Sequence, residues 1–313
     1  MKAKIILIIL IINTLILCLG CSNNIRKPST DIKTIKLDSN IYEIPTKPNR
    51  VILLTSTLTE LWIDAGGIES IVACPLSGKI DKNKQKMLKP LVMDVGVSTS
   101  LNAETILNCA PDIVIGLSNY KQNENVKGII QKSGINYLEV KNDNLNDNFH
   151  IFKLFSIILG NEKYAQDIIN QQKKAISTNQ EKNRNKTIPK VLMIWGTTNH
   201  MLMVTPKSRH GELIFLAGGK NIIQNTQADQ ELLPISIEYI IENQPDIILF
   251  SNHGDQQKIN QMIQKQLLEN PSWKNLKAVK KNNIFVLPEN IFPINPGLKS
   301  VDAIIYLSNI FYK

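Results

Sequence analysis

Cysteine is scarce in this chain, and its placement excludes a disulfide framework. Four cysteines occur in 313 residues, and the two beyond the N-terminal segment stand neither in a CxxC pair nor at a zinc-ligand spacing. Cys18 lies in the apolar N-terminal run and Cys21 follows it closely, which leaves Cys74 and Cys109 for the folded part. Two cysteines either pair once or act as small buried apolar groups. We favour the second alternative, and the spacing excludes a structural zinc site.

The sequence also lacks the motifs by which common α/β enzymes hold cofactors or nucleophiles. No GxGxxG follows the first predicted strand, and neither a GxSxG elbow nor a Walker loop occurs. We therefore expect a protein that is not an enzyme, with an α/β enzyme as the remote alternative. The net charge of +9 comes from scattered lysines without aromatic–basic alternation, so no nucleic-acid partner is expected.

A long apolar run does occur at the N-terminus. A basic MKAK start precedes IILIILIINTLILCLG, and Cys21 follows directly. This pattern predicts a secretory signal over residues 1–20, with a single spanning helix as the alternative. Its end resembles a bacterial lipoprotein processing site, at which Cys21 receives lipid, although Cys18 stands where leucine is usual. The mature chain would then be extracytoplasmic and lipid-anchored to the cell membrane.

Strand and helix patterns alternate beyond a tether at residues 21–46, which ends in a short edge strand (IYEIP). With 43% hydrophobic and 20% charged residues, the chain has enough apolar material for a packed core. The alternation predicts an α/β fold with lobes over residues 47–145 and 187–313, each with a mostly parallel sheet. Residues 146–186 are predicted to be helical. Within them, EKYAQDIINQQKKAISTNQEK lacks glycine and proline and predicts a single joining helix about 30 Å long.

One sequence pattern occurs twice, 134 positions apart, as ETILNCAPDIVIG from Glu104 and EYIIENQPDIILF from Glu238. Proline ends each helix, and the apolar run after Asp112 or Asp246 predicts a buried parallel strand. The N–H groups at a helix start favour a carboxylate, so both glutamates could be first-turn acids only. Their recurrence at one offset indicates instead a shared role, once in each lobe.

The order of these segments resembles the substrate-binding lipoproteins of bacterial ABC importers for metal chelates. The matching segments are NRVILLTSTLTELWIDAGGIESIVAC, DVGVSTSLNAETILNCAPDIVIG, LIFLAGGKNI, PDIILFSNHG and WKNLKAVKKNNIFVLP. The resemblance covers about residues 49–313. It implies a monomer with two lobes on a rigid helix, and a cargo that is a ferric siderophore, haem or cobalamin. It also implies that Glu104 and Glu238 dock onto arginines of the importer permease, which would fix the orientation of the complex.

Ligands of α/β lobes gather at the carboxyl ends of the strands, and several predicted strands end there in polar side chains. These side chains are Thr99 and Tyr120 in the first lobe, and His200, Lys207, Arg209, His210 and His253 in the second. Three of the four histidines of the chain are among them. That concentration favours a binding role over a chance surface placement.

The segment PDIILFSNHG resembles the haem-receptor lipoproteins of cell-wall iron uptake systems, in which the histidine ligates haem iron. This resemblance implies His253 as an axial ligand, through a neutral imidazole. Those relatives carry a methionine as the second ligand where this chain has Thr99, and threonine does not ligate haem well. Tyr120 could supply a phenolate instead, and the alternative is an ordinary loop tyrosine.

A basic cleft is predicted by Arg209, His210, Lys207 and His200. Guanidinium donors pair with the carboxylate or catecholate oxygens of ferric siderophores, and the same cations could pair with haem propionates. The residues therefore predict an anionic metal chelate, with haem favoured and a ferric siderophore as the alternative. Cobalamin is less favoured, because few aromatic residues stand at matching positions.

Overall fold

The computed structural model of the chain describes most residues from 31 onward. The described residues are 31–76, 79–118, 124–197, 200–224, 230–253, 257, 260–261, 263, 269–293 and 296–313. They form two α/β lobes, each on its own sheet, with a helical segment between them in sequence. This is the predicted fold class. Among the helices that the structure describes, none is both long and apolar enough to span a bilayer.

A β-hairpin precedes the first lobe. Its strands β1 (Ile32–Leu37) and β2 (Asn40–Pro45) pair antiparallel. The tight turn between them needs a left-handed residue, and Asp38 supplies it with a φ of 53°. The sequence predicts only the second strand, as an edge strand after a tether. The structure instead has both strands, and Ile35 and Ile44 bury their side chains in the core of the first lobe.

The first lobe is a five-stranded parallel sheet with helices on both faces. In chain order its strands are β3 (Val51–Leu53), β4 (Ile71–Cys74), β5 (Met93–Asp94), β6 (Gly96–Val97), β7 (Ser100–Leu101), β8 (Ile113–Leu117) and β9 (Asn136–Val140). The sheet order is β5-β4-β3-β8-β9, and β6 and β7 form a separate hairpin. Its helices are α1 (Ser56–Asp64), α2 (Lys82–Met87), α3 (Ala103–Asn108) and α4 (Glu124–Lys132). The central strands are apolar on both sides because helices cover both faces.

Both cysteines of the described chain are packed in the core of the first lobe. Cys74 ends β4 and Cys109 follows α3 directly. They are free and buried, which confirms the prediction that they act as small apolar groups. Burial raises the pKa of the Cys74 thiol to about 12, so this thiol stays protonated at neutral pH.

Two helices lie between the two sheets in sequence, and the second of them joins the lobes. They are α5 (Leu145–Leu159) and α6 (Glu162–Asn183), and Gly160 ends α5 in a left-handed conformation with a φ of 78°. Asn144 and Asp147 form a capping box at the start of α5. The 22 residues of α6 span roughly 33 Å, which confirms the predicted joining helix.

The second lobe is a six-stranded, mostly parallel sheet. In chain order its strands are β10 (Lys190–Thr197), β11 (Met201–Val204), β12 (Lys220–Asn221), β13 (Leu232–Pro234), β14 (Ile247–His253) and β15 (Ile284–Val286). Its described helices are α7 (Arg209–Leu216), α8 (Ile237–Asn243), α9 (Pro271–Lys274), α10 (Lys277–Lys280) and α11 (Ser300–Phe311). The order is β13-β11-β10-β14-β15 with β12 beside β10. Among these described strands the pairs β10–β11 and β11–β13 are antiparallel, and the other pairs are parallel. The last helix, α11, packs on α6 and α7.

The repeated sequence pattern forms the same helix-to-strand connection in both lobes, around Asp112 and Asp246, and we call this connection the aspartate joint. In the first, the Asp112 carboxylate accepts hydrogen bonds from the N–H groups of Asn49 (2.7 Å) and Arg50 (3.0 Å), and the Asp112 N–H donates to the Arg50 carbonyl (2.8 Å). In the second, the Asp246 carboxylate accepts from the Lys190 N–H (2.8 Å), and the Asp246 N–H donates to the Lys190 carbonyl (2.8 Å). Each aspartate therefore ties the start of one strand to the start of its neighbour.

The surroundings of the two aspartates match as well. The residue that leaves each helix is left-handed, Ala110 with a φ of 42° and Gln244 with a φ of 41°. An asparagine on the far side donates its Nδ2–H to the carbonyl of each aspartate, Asn136 at 3.1 Å and Asn283 at 3.2 Å. The whole helix-to-strand step is therefore built alike in both lobes.

The aspartate joint can be tested by its effect on stability. We expect Asp112→Ala to lower the free energy of unfolding by about 2–4 kcal/mol, because it leaves two backbone N–H groups without their acceptor. The matched Asp246→Ala should cost about 1–2 kcal/mol, since this carboxylate accepts one backbone bond and is less buried. Urea unfolding of the two variants measures the difference, and equal losses would contradict this explanation.

Candidate ligand-binding site

The second sheet ends where the sequence analysis predicts the ligand. β14 ends at His253, whose backbone pairs with Thr197 at the end of β10. The Cα of His253 therefore lies at the carboxyl edge of this sheet. Tyr120 and the lipidation candidate Cys21 lie outside the described residues, so their roles stay predictions.

Thr99 is exposed in the turn of the β6–β7 hairpin. Gly96 begins this hairpin with a φ of 85°, and a Cβ there would lie 2.5 Å from the Ser100 carbonyl oxygen. The Asp94 carboxylate accepts hydrogen bonds from the N–H groups of Leu76 (3.0 Å) and Gly96 (2.9 Å). Thr99 is therefore presented on a firmly anchored turn directly after the edge strand β5.

Arg209 and His210 lie in the first turn of α7, rather than in the loop that the sequence predicts. Ser208 begins the helix, and its hydroxyl accepts the Gly211 N–H at 3.0 Å. Both side chains are buried, Arg209 with 9% and His210 with 7% exposed. His210 Nε2 lies 3.4 Å from Ser251 Oγ, which holds the start of α7 against the carboxyl end of β14.

The Arg209 guanidinium crosses from the second lobe to the first. Its Nη2 donates to the carbonyl oxygen (2.9 Å) and to Oδ1 (2.7 Å) of Asn142, which follows β9. Its Nη1 is buried and has no hydrogen-bond partner among the described residues. Burial lowers the pKa of the Arg209 guanidinium, and the Glu212 carboxylate opposes that shift. A buried cation with an unused donor is suited to an incoming oxyanion.

His200 and Lys207 are exposed, unlike their two basic neighbours. The His200 N–H donates to Thr197 Oγ1 at 3.0 Å, and the Lys207 N–H donates to Thr205 Oγ1 at 3.2 Å. These backbone bonds fix the loops while the side chains stay in solvent. The predicted basic cleft therefore divides into a buried pair of residues and an exposed pair.

Glu104 and Glu238 occupy equivalent places in the two lobes. Each is the second residue of its helix, α3 or α8, and each is exposed. Asn102 and Ser236 begin these helices with side-chain caps, and the Ser236 hydroxyl also donates to Glu238 Oε2 at 3.2 Å. Exposure suits both a first-turn acid and a docking carboxylate, so the docking role stays a prediction.

Two residues at the contact between the lobes are absent from the predicted site. Asn142 receives the Arg209 guanidinium, and the Glu212 carboxylate accepts the Leu145 N–H at 3.2 and 3.0 Å. Burial raises the pKa of the Glu212 carboxyl, and the bond from Leu145 opposes that shift. No local sequence signal predicts either residue as part of the site, because their partners are 67 positions away in sequence.

Two sheet-based lobes, a joining helix and polar groups at the strand ends define a two-lobed solute-binding protein. The family described as "Periplasmic binding protein" matches residues 51–291 of the chain. The chain belongs to this family. It is thus a substrate-binding protein of the class that serves ABC importers, which confirms that it is not an enzyme.

Individual relatives agree with this assignment. The chain is 28% identical over 315 residues to the high-affinity heme uptake system protein IsdE of Staphylococcus aureus strain MRSA252, covering 98% of this chain and 97% of that protein. The crystal structure of S. aureus IsdE complexed with heme is similar, with a TM-score of 0.70, 26% identity, and coverage of 84% of this chain and 99% of that one. The petrobactin-binding protein YclQ of Bacillus subtilis shares the fold, with a TM-score of 0.74, 19% identity, and coverage of 91% and 100%.

Proposed function

We propose that this chain captures an anionic iron complex, with haem favoured, between its lobes and delivers it to an ABC importer permease. The observation that carries the proposal is the Arg209 guanidinium, which is buried at the lobe contact with Nη1 unpartnered among the described residues. A buried donor without an acceptor is costly. A ligand carboxylate or catecholate oxygen would supply the missing acceptor.

Haem is favoured over other chelates because of the position of His253. This residue ends β14 at the carboxyl edge of the second sheet, and the related IsdE is a heme uptake protein that was crystallised with heme. A neutral imidazole there would ligate haem iron. Tyr120, or a group near Thr99, would supply the second axial ligand of the iron from the first lobe. Lys207 and His200 would face the anionic edge of the ligand.

A ferric siderophore is the second candidate. The same cationic groups, Arg209 and Lys207, suit its anionic oxygens, and the structurally similar YclQ is a petrobactin-binding protein. In either case we propose that the mature chain is a monomer, that its N-terminal signal is removed, and that lipid on Cys21 anchors it outside the cytoplasmic membrane.

The carboxylate preference tests the proposal. We expect the chain without residues 1–20 to bind haemin about tenfold or more tightly than haemin dimethyl ester, because only haemin presents carboxylates to Arg209. Absorbance titrations give both dissociation constants. Equal affinities would contradict recognition of an anion. A protein that binds neither but binds a ferric tricatecholate would support the second candidate.

A further inference from the structure

One turn of α7 holds two separate points of the first lobe. Arg209 donates through Nη2 to Asn142, and Glu212, three residues further along the same helix face, accepts the Leu145 N–H. Asn142 lies just before α5, and Leu145 is the first residue of that helix. This arrangement, which we call the interlobe clamp, therefore consists of Arg209 and Glu212 in the second lobe and Asn142 and Leu145 in the first.

Each bond of the interlobe clamp has a clear physical cause. Leu145 is the first residue of α5, and its N–H belongs to the helix-terminal groups without a partner inside the helix. The Glu212 carboxylate satisfies that group and places a negative charge at the positive end of a 15-residue helix. Both hydrogen bonds to Asn142 come from Nη2, whose two N–H bonds lie in the plane of the guanidinium. Together they therefore fix the orientation of that plane.

The interlobe clamp leaves two donors unused. Arg209 Nη1 and Asn142 Nδ2 are buried and have no hydrogen-bond partner among the described residues. Both donors are on side chains that the 2.7 Å hydrogen bond from Arg209 Nη2 to Asn142 Oδ1 already holds together. Donors held in place without partners are preorganised for an acceptor, and preorganisation lowers the cost of binding.

We infer that Asn142 and Glu212 are positioning residues, which hold Arg209 in its ligand-binding orientation only while the two lobes keep their present spacing. This inference rests on the proposed function. A permease that grips both lobes and moves them apart would break the bonds to Asn142 and Leu145 together. Arg209 would then lose its fixed orientation, and ligand affinity would fall at the moment of delivery.

The ligand arm of the test is a double-mutant cycle on haemin affinity. Asn142→Ala should raise the dissociation constant about tenfold in the natural protein and less than about threefold in an Arg209→Met background, because its effect passes through Arg209. Glu212→Ala should weaken binding in the same way, and Glu212→Gln, which keeps an acceptor for Leu145, should restore most of it. Asn170→Ala is the matched control, since the Asn170 side chain accepts from Gln166 on the exposed face of its own helix. Additive effects of Asn142→Ala and Arg209→Met would overturn the inference.

The second arm needs no ligand and therefore separates the inference from the proposed function. Urea unfolding of the same variants should show that Asn142→Ala lowers the folding equilibrium constant about tenfold when Arg209 is present. In the Arg209→Met protein the same change should lower it much less, because the guanidinium that Asn142 receives is already gone. If haemin and a ferric tricatecholate both fail to bind while this coupling is present, the proposed function fails and the clamp stands. If the coupling is absent, the clamp is overturned whatever the ligand.

Discussion

Replacing both Glu104 and Glu238 with alanine should reduce uptake of the ligand by about 100-fold in cells, with ligand affinity unchanged. The two carboxylates are exposed at the same position of α3 and α8, one in each lobe. Two charges on separate lobes fix the orientation of the docked complex as well as strengthening it. Losing about 1.4 kcal/mol of docking free energy at each glutamate lowers the affinity for the permease about tenfold per site.

The control for this prediction is a second pair of exposed glutamates. Glu69 and Glu181 are 80% and 72% exposed in their side chains and pair with Lys89 and Arg184 respectively. Their double alanine variant changes the net charge by the same amount at other places on the surface, so its uptake should be normal. Normal uptake by the Glu104 and Glu238 variant would remove the docking role and leave both residues as first-turn acids.

The second large effect is expected at His253. In the chain without residues 1–20, haemin should give a shifted Soret band, and His253→Ala should abolish that shift and weaken binding about tenfold or more. The reason is the loss of the imidazole that would ligate the iron from the carboxyl end of β14. Absorbance spectra and titrations measure both changes.

His200→Ala is the matched histidine control for this experiment. His200 is exposed, its bonds to Thr197 use its backbone N–H and carbonyl, and its proposed place is at the anionic edge of the ligand rather than on the iron. The substitution should therefore leave the position of the Soret band unchanged, whatever it does to affinity. An unaltered Soret shift in His253→Ala would contradict the ligand role. Quenching of tryptophan fluorescence by a ferric siderophore, without any Soret shift from haemin, would favour the second candidate.

Much of the fold can be predicted because its signals are local. Apolar runs that follow Pro-Asp predict β8 and β14, and the glycine-free stretch between residues 162 and 182 predicts α6. The hairpin strand β1 escapes prediction because its turn uses Asp38 in a left-handed conformation, rather than the Asn-Gly or Asp-Gly pair that signals such turns. A polar, charged strand beside a predicted tether offers no periodic pattern strong enough to replace that signal.

The candidate site is predictable only to the level of strand ends. The rule that ligands gather at carboxyl ends leads to the end of β14 and the start of α7, which the contact between His210 and Ser251 brings together. It cannot show that Arg209 is buried against Asn142, because that contact joins two lobes and depends on how they pack. Sequence patterns report which face of an element is apolar, whereas the partner of a buried polar group is set by the assembled tertiary structure.

The measurement that tests the central claim most directly is a side-by-side titration of the chain lacking residues 1–20 with haemin, a ferric tricatecholate and cyanocobalamin. Our account predicts saturable one-to-one binding of an anionic iron chelate, tightest for haemin, and no comparable binding of cyanocobalamin. Saturable binding of cyanocobalamin alone, or of none of the three, would contradict it.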